Sequence, residues 1–149
     1  MTPISRIVHD AVQANVRKQT RKRTGYEKLL PYTIRTLLFL VKCAEDGKTT
    51  DYSSVSTAIG INNTRSANVG FGPIREILHS LSEHPESCPG IFAEVPDITS
   101  IVTHAGSRTC GEGFFQEDAP LDERVEQRRV FEFERWQELL KYLEIEQPE

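Results

Sequence analysis

Gly47-Lys-Thr-Thr-Asp-Tyr-Ser-Ser-Val-Ser-Thr-Ala-Ile-Gly60 reads as one short helix with both of its ends marked. Thr50 or Asp51 is placed to cap the first turn, because a short oxygen-bearing side chain there accepts an orphan backbone N–H. Val55, Ala58 and Ile59 supply an inward face at helical spacing. Gly60 suits the left-handed residue that closes a helix, and Ile61 can then fold back onto the core. Asn62, Asn63 and Thr64 follow as caps for a second helix, predicted from Arg65 to about Ser82. Two short helices joined by so tight a turn form a helix-turn-helix pattern.

Working outward, the second helix has Val69, Ile74, Ile77, Leu78 and Leu81 as its inward residues. Gly70, Gly72 and Pro73 are costly inside a helix, so a kink or very close packing is expected there. His84 to Pro96 reads as a loop; Ile98, Ile101 and Val102 mark a strand with a hairpin tip at Ala105-Gly106-Ser107. Cys110 to Phe115 returns as a second strand, which makes a wing. Upstream, Thr2-Pro3 caps a helix carrying Ile4, Ile7, Val8, Ala11, Val12 and Val16. Another helix is expected from near Pro31, with Ile34, Leu37, Leu38, Val41 and Ala44 buried. Beyond Asp118-Ala-Pro120 the chain is acidic and helical, with Val125, Phe133, Trp136, Leu139, Leu140 and Leu143 as packing residues.

The fold class expected is therefore mainly α with a small β wing: a winged helix-turn-helix with N- and C-terminal helical extensions. Its divisions are a basic helix and arm (1–30), the winged domain (31–116) and an acidic helical extension (117–149). With 149 residues and 38% hydrophobic content, the chain suits one globular core. No apolar run approaches the roughly 20 residues that cross a bilayer, and no secretory signal is visible. Three irregularly spaced cysteines make no disulfide framework, so a cytoplasmic setting is expected.

The net charge of −4 hides an asymmetry. Residues 1–42 carry nine Lys/Arg against two Asp/Glu, a net of +7. The next stretch, 43–111, carries four against eight, and 112–149 carries five against twelve. An acidic chain with a local basic face still attracts phosphates. The cluster Arg17, Lys18, Arg21, Lys22 and Arg23 is the strongest electrostatic candidate for double-stranded DNA. Charge runs are also commonly just solvated, and the acidic tail can neutralise this one within the chain or across a homodimer.

The helix-turn-helix entry resembles that of the alkylguanine DNA alkyltransferases and their alkyltransferase-like relatives. Ser66-Ala-Asn-Val-Gly70 is similar to the start of that family's recognition helix. Val95-Pro96 followed by Ile98 to Val102 matches the strand bearing its active-site motif, and Gly111-Glu-Gly113-Phe114 its glycine-rich wing. A comparable wing occurs in domains accompanying restriction-type nucleases, which implies a phage, mobile-element or defence context. The resemblance implies DNA binding, with Tyr52 matching a tyrosine that presses on the target phosphate. It does not carry the reaction over: the alkyl-accepting cysteine of Pro-Cys-His-Arg falls on Asp97, and no adjacent base is present. The arginine that fills the base stack during nucleotide extrusion falls on Ala67, which weakens the case for base flipping.

The expected DNA-contacting residues follow. Asn63, Thr64, Arg65, Ser66 and Asn68 begin the recognition helix, where short polar groups meet phosphate oxygens and Asn reads adenine. Asn63 and Thr64 are equally well explained as caps. His104 and Arg108 flank the wing tip, where a solvated turn is the alternative. His79, His84, Cys88, His104 and Cys110 fit no compact zinc spacing, so neither metal nor cofactor is expected. No triad order, phosphate loop or nuclease carboxylate cluster stands out, so the expectation is a non-enzymatic DNA-binding protein, with modified or distorted DNA as a candidate target. The alternative is a protein-interaction module or inhibitor using the acidic C-terminal helix, whose carboxylates imitate DNA phosphates.

Overall fold

In a computed structural model, residues 5–18, 25–61, 64–83, 95–103 and 123–145 are described, with 64–66, 82–83 and 123–124 described as backbone only. Among them the chain is mainly helical, with one small two-stranded parallel sheet. The elements are α1 (Arg6–Lys18), α2 (Tyr26–Glu45), β1 (Thr50–Asp51), α3 (Tyr52–Ile59), a 3-10 helix (Thr64–Gly70) and α4 (Phe71–Glu83). A second 3-10 helix (Ile98–Ile101), β2 (Val102–Thr103), α5 (Glu123–Glu132) and α6 (Trp136–Tyr142) follow. No helix among the described residues is long and apolar enough to cross a membrane.

The second helix, α2, is the central one. It starts at Tyr26, five residues before the position expected, and carries Pro31 inside it. Proline there removes the bond its N–H would make to the Glu27 carbonyl and crowds that carbonyl with its ring. In exchange the helix gains a turn that buries Leu29 at 2% exposure. The expected boundary between residues 30 and 31 thus falls within a continuous helix. The buried stripe is also rotated from the one predicted: Leu29, Thr33, Thr36, Leu37, Leu40, Val41 and Ala44 face inward, while Ile34 and Leu38 pack at its edge. Two threonines can lie in the core because each hydroxyl donates to the carbonyl four residues back. Thr33 Oγ1 reaches Leu29 O at 2.8 Å and Thr36 Oγ1 reaches Tyr32 O at 2.7 Å.

The predicted ends of α3 are found. Asp51 Oδ1 accepts from the Ser54 N–H at 2.7 Å, and Gly60 takes a left-handed φ of +83°. Gly60 N–H bonds to Thr57 O and Ile61 N–H to Ser56 O, the paired closure that turns the chain out of a helix. Asp51→Ala should therefore lower stability by about 0.5–2 kcal/mol, read as a drop in the urea midpoint with unchanged m. An unchanged midpoint would show that the cap bond contributes nothing.

After the turn, the single helix expected from Arg65 is instead a 3-10 helix that gives way to α4 at Phe71. The Gly70-Phe-Gly-Pro73 stretch marks the change of helix type, and Pro73 sits in the first turn of α4, where its missing N–H is unneeded. Ile74, Ile77 and Leu81 are buried as expected; Val69 and Leu78 are half-buried against the core.

The predicted strand over 98–102 is mostly helical turn. Asp97 Oδ1 accepts from both Thr99 N–H (3.0 Å) and Thr99 Oγ1 (2.6 Å), which winds Ile98–Ile101 into a 3-10 helix. Only Val102 and Thr103 are extended, pairing in parallel with Thr50 and Asp51. The expected tip at 105–107 and return strand at 110–115 lie outside the described residues.

The acidic extension contains two helices, α5 and α6, joined through residues 133–135. Trp136, Leu139, Leu140 and Leu143 are buried and Phe133 is half-buried, whereas Val125, expected among the packing residues, is 50% exposed. Trp136 lies at 1% exposure, its Nε1 donating to Val130 O at 3.2 Å. Ser5 N–H donates to Leu143 O at 3.1 Å, so the start of α1 is tied to the end of α6.

Candidate nucleic-acid interface

The α3–turn–3-10 segment is held to α2 from both sides. Arg35 Nη1 donates to Ile59 O at 3.3 Å, on the carbonyl end of α3. A Cβ at Gly70 would lie 2.9 Å from Thr36 Oγ1 and 3.2 Å from Thr33 Cα, so only glycine permits this approach without a shift. Ala67, just before it, is fully buried, while Asn68 is exposed. The chain thus presents Asn68 outward and turns Ala67 into the core. An inward Ala67 cannot fill a base stack.

Tyr52 opens α3 and is half-buried, its ring tilted against Phe71 with centroids 6.1 Å apart. Packing therefore fixes the ring at the head of the helix. Thr64, Arg65 and Ser66 form the start of the first 3-10 helix by their backbone. Arg17 and Lys18 are exposed at the end of α1, and Lys18 Nζ lies 3.4 Å from Glu76 Oε2 of α4. Packing of α1 on α4 places its basic end there, which nothing local in the sequence indicates. Asn63, Arg21, Lys22, Arg23, His104 and Arg108 lie outside the described residues.

Asp97, the position matched to an alkyl-accepting cysteine, is occupied structurally. Its carboxylate caps the following turn and stands 3.7 Å from Arg75 Nε, while Arg75 donates to Thr99 Oγ1 through Nε (3.3 Å) and Nη2 (3.2 Å). The Asp97 N–H donates to Glu126 Oε1 at 3.3 Å. Glu126, 5% exposed, takes both its oxygens to Arg129 Nη1 at 3.0 Å, and Gln127 Nε2 donates to Ser100 O at 3.0 Å. A buried carboxylate needs such partners, and here they seat α5 on the Asp97–Ile101 turn. Thr99 is 2% exposed, so its hydroxyl serves this network rather than an incoming molecule. Of the cysteines, Cys43 is half-buried; burial pushes its thiol pKa up, and the neighbouring Asp46 carboxylate pushes it further. That thiol stays protonated and unreactive near neutral pH.

Sequence reasoning missed Arg35, Arg75 and Glu76. Arg35 sits at an exposed gap in the apolar stripe of α2, and Arg75 and Glu76 occupy half-buried positions of α4. Each meets a partner far away in sequence, so helical periodicity carries no signal of it. The contact between α2 and α6 is assembled in the same way: Gln137 Nε2 donates to both Glu45 oxygens at 2.9 and 3.0 Å, which joins the acidic end of α2 to α6. Comparison with protein-family models, with curated proteins and with solved structures finds no match for this chain.

Proposed function

We propose that the chain is a non-enzymatic DNA-binding protein of the winged helix-turn-helix type, related to the alkyltransferase-like proteins. The observation that carries this reading is the α3–turn–3-10–α4 arrangement with the basic end of α1 beside α4, where Lys18 meets Glu76. Asn68 and the backbone of the Thr64–Gly70 segment face a duplex groove, with Arg65 supplying the charged contact. Arg17 and Lys18, with Arg21, Lys22 and Arg23 following in sequence, neutralise phosphates. His104 and Arg108 extend the contact from the wing. The context remains a phage, mobile-element or defence system.

Binding by this mechanism is dominated by counterion release, so log K should fall linearly with log salt, at a slope of about −0.9 per phosphate neutralised. With roughly six such contacts the slope should approach −5. Arg65→Ala should weaken duplex binding by about 1–3 kcal/mol. Fluorescence anisotropy with a labelled duplex across a salt series measures both. No binding to any duplex at low salt would sink the reading.

A second reading is favoured by the joining of the acidic end of α2 to α6. There the acidic helical surface engages a protein partner, imitating DNA phosphates. Capture of a specific protein that competes with DNA, without a mobility shift on DNA by this chain, would favour it.

A further inference from the structure

Where α1 crosses α4, the Asn15 side chain is seated over the bare Cα of Gly72. A Cβ at Gly72 would lie 2.5 Å from Asn15 Oδ1, and Asn15 is itself held by its Nδ2 donating to Ala11 O at 2.9 Å. About one helical turn onward on each element, Lys18 Nζ meets Glu76 Oε2 at 3.4 Å. The pair is therefore a consequence of how the helices cross, not of two long side chains meeting anywhere. It is also open to solvent, with the Lys18 side chain 67% exposed and Glu76 33%. Arg17 is exposed beside it, and the sequence adds Arg21, Lys22 and Arg23 within five residues. Glu76 thus stands as a carboxylate beside the exposed basic end of α1.

We propose that Glu76 is an internal substitute for a nucleic-acid phosphate. It holds the Lys18 ammonium beside α4 in the free protein and releases it to the duplex backbone on binding. This rests on the DNA-binding reading above. An exposed pair of this kind is weak and screened by salt, so a dense phosphate array with its condensed counterions outcompetes it. The released carboxylate then faces phosphates and opposes the complex. Glu76 consequently lowers affinity while it positions Lys18, because breaking the pair offsets part of what Lys18 gains from the duplex.

The test is a double-mutant cycle on the full chain, with anisotropy of a labelled duplex measured between roughly 50 and 200 mM salt. E76Q should tighten binding about two- to fivefold. K18Q should weaken E76Q more than it weakens the unsubstituted protein. Glu132→Gln, an exposed acid on α5, makes the same change in net charge and should tighten binding less. If E76Q tightens no more than the Glu132 control, or K18Q costs the same in both backgrounds, the inference falls while DNA binding stands. If the unsubstituted protein binds no duplex, both fall together.

Discussion

Trp136→Ala should destabilise the whole protein by about 3–5 kcal/mol, a large part of the 5–15 kcal/mol typical of a domain. The indole is 1% exposed, and Phe133 packs edge-on against it with centroids 4.6 Å apart. Truncation removes that contact, leaves the Val130 carbonyl without its Nε1 donor and opens a cavity beside Leu139 and Leu140. The effect should be global because α5 and α6 are bonded into the rest of the chain. Gln127 reaches Ser100, Glu126 reaches Asp97, and Leu143 accepts from Ser5. Urea unfolding followed by far-ultraviolet circular dichroism should show one transition, displaced to a much lower midpoint. Loss of a fraction of helix in a separate early step, with the main transition unmoved, would mean that the C-terminal helices are an appendage.

How much of this was legible depends on the range over which each signal acts. The register of α1 is readable because Val8, Ala11 and Val12 repeat at helical spacing, and all three are buried. The ends of α3 are readable because an aspartate cap and a left-handed glycine act within four residues of where they stand. The start of α2 is not, because Pro31 signals a beginning locally while burial of Leu29 extends the helix past it. Nor is the turn over 98–101, where β-branched residues suggest a strand but the Asp97 carboxylate winds them into a 3-10 helix. The pairing of Thr50 with Val102 and the contact of Lys18 with Glu76 each join residues more than fifty positions apart. No dipeptide or helical stripe encodes its distant partner, so the candidate interface was visible as a set of residues and not as a surface.

The other large effect is expected at Gly70, and its sign is informative. In an open helical position, glycine to alanine stabilises by about 0.4–1 kcal/mol, because the unfolded chain loses freedom. At Gly70 the new methyl would meet Thr36 Oγ1 at 2.9 Å, Thr36 Cβ at 3.2 Å and Thr33 Cα at 3.2 Å. The last belongs to the backbone of α2 and cannot rotate away. Thr36 is further held by its bond to Tyr32 O. Gly70→Ala should therefore destabilise by about 1–3 kcal/mol through overpacking. Gly72→Ala should cost less, because its obstacle is the end of the Asn15 side chain, which can swing at the loss of one bond to Ala11 O. Adding Thr36→Ala to Gly70→Ala should recover only part of the loss, since the Thr33 backbone and the residue-36 Cβ remain in place. The same methyl pushes the 3-10 helix off α2, so duplex binding should weaken even at temperatures where the protein stays folded. Thermal melts and anisotropy on the Gly70, Gly72 and double variants measure the two effects separately. Equal stability of the Gly70 and Gly72 variants would show that α2 does not hold the Thr64–Gly70 segment by close contact.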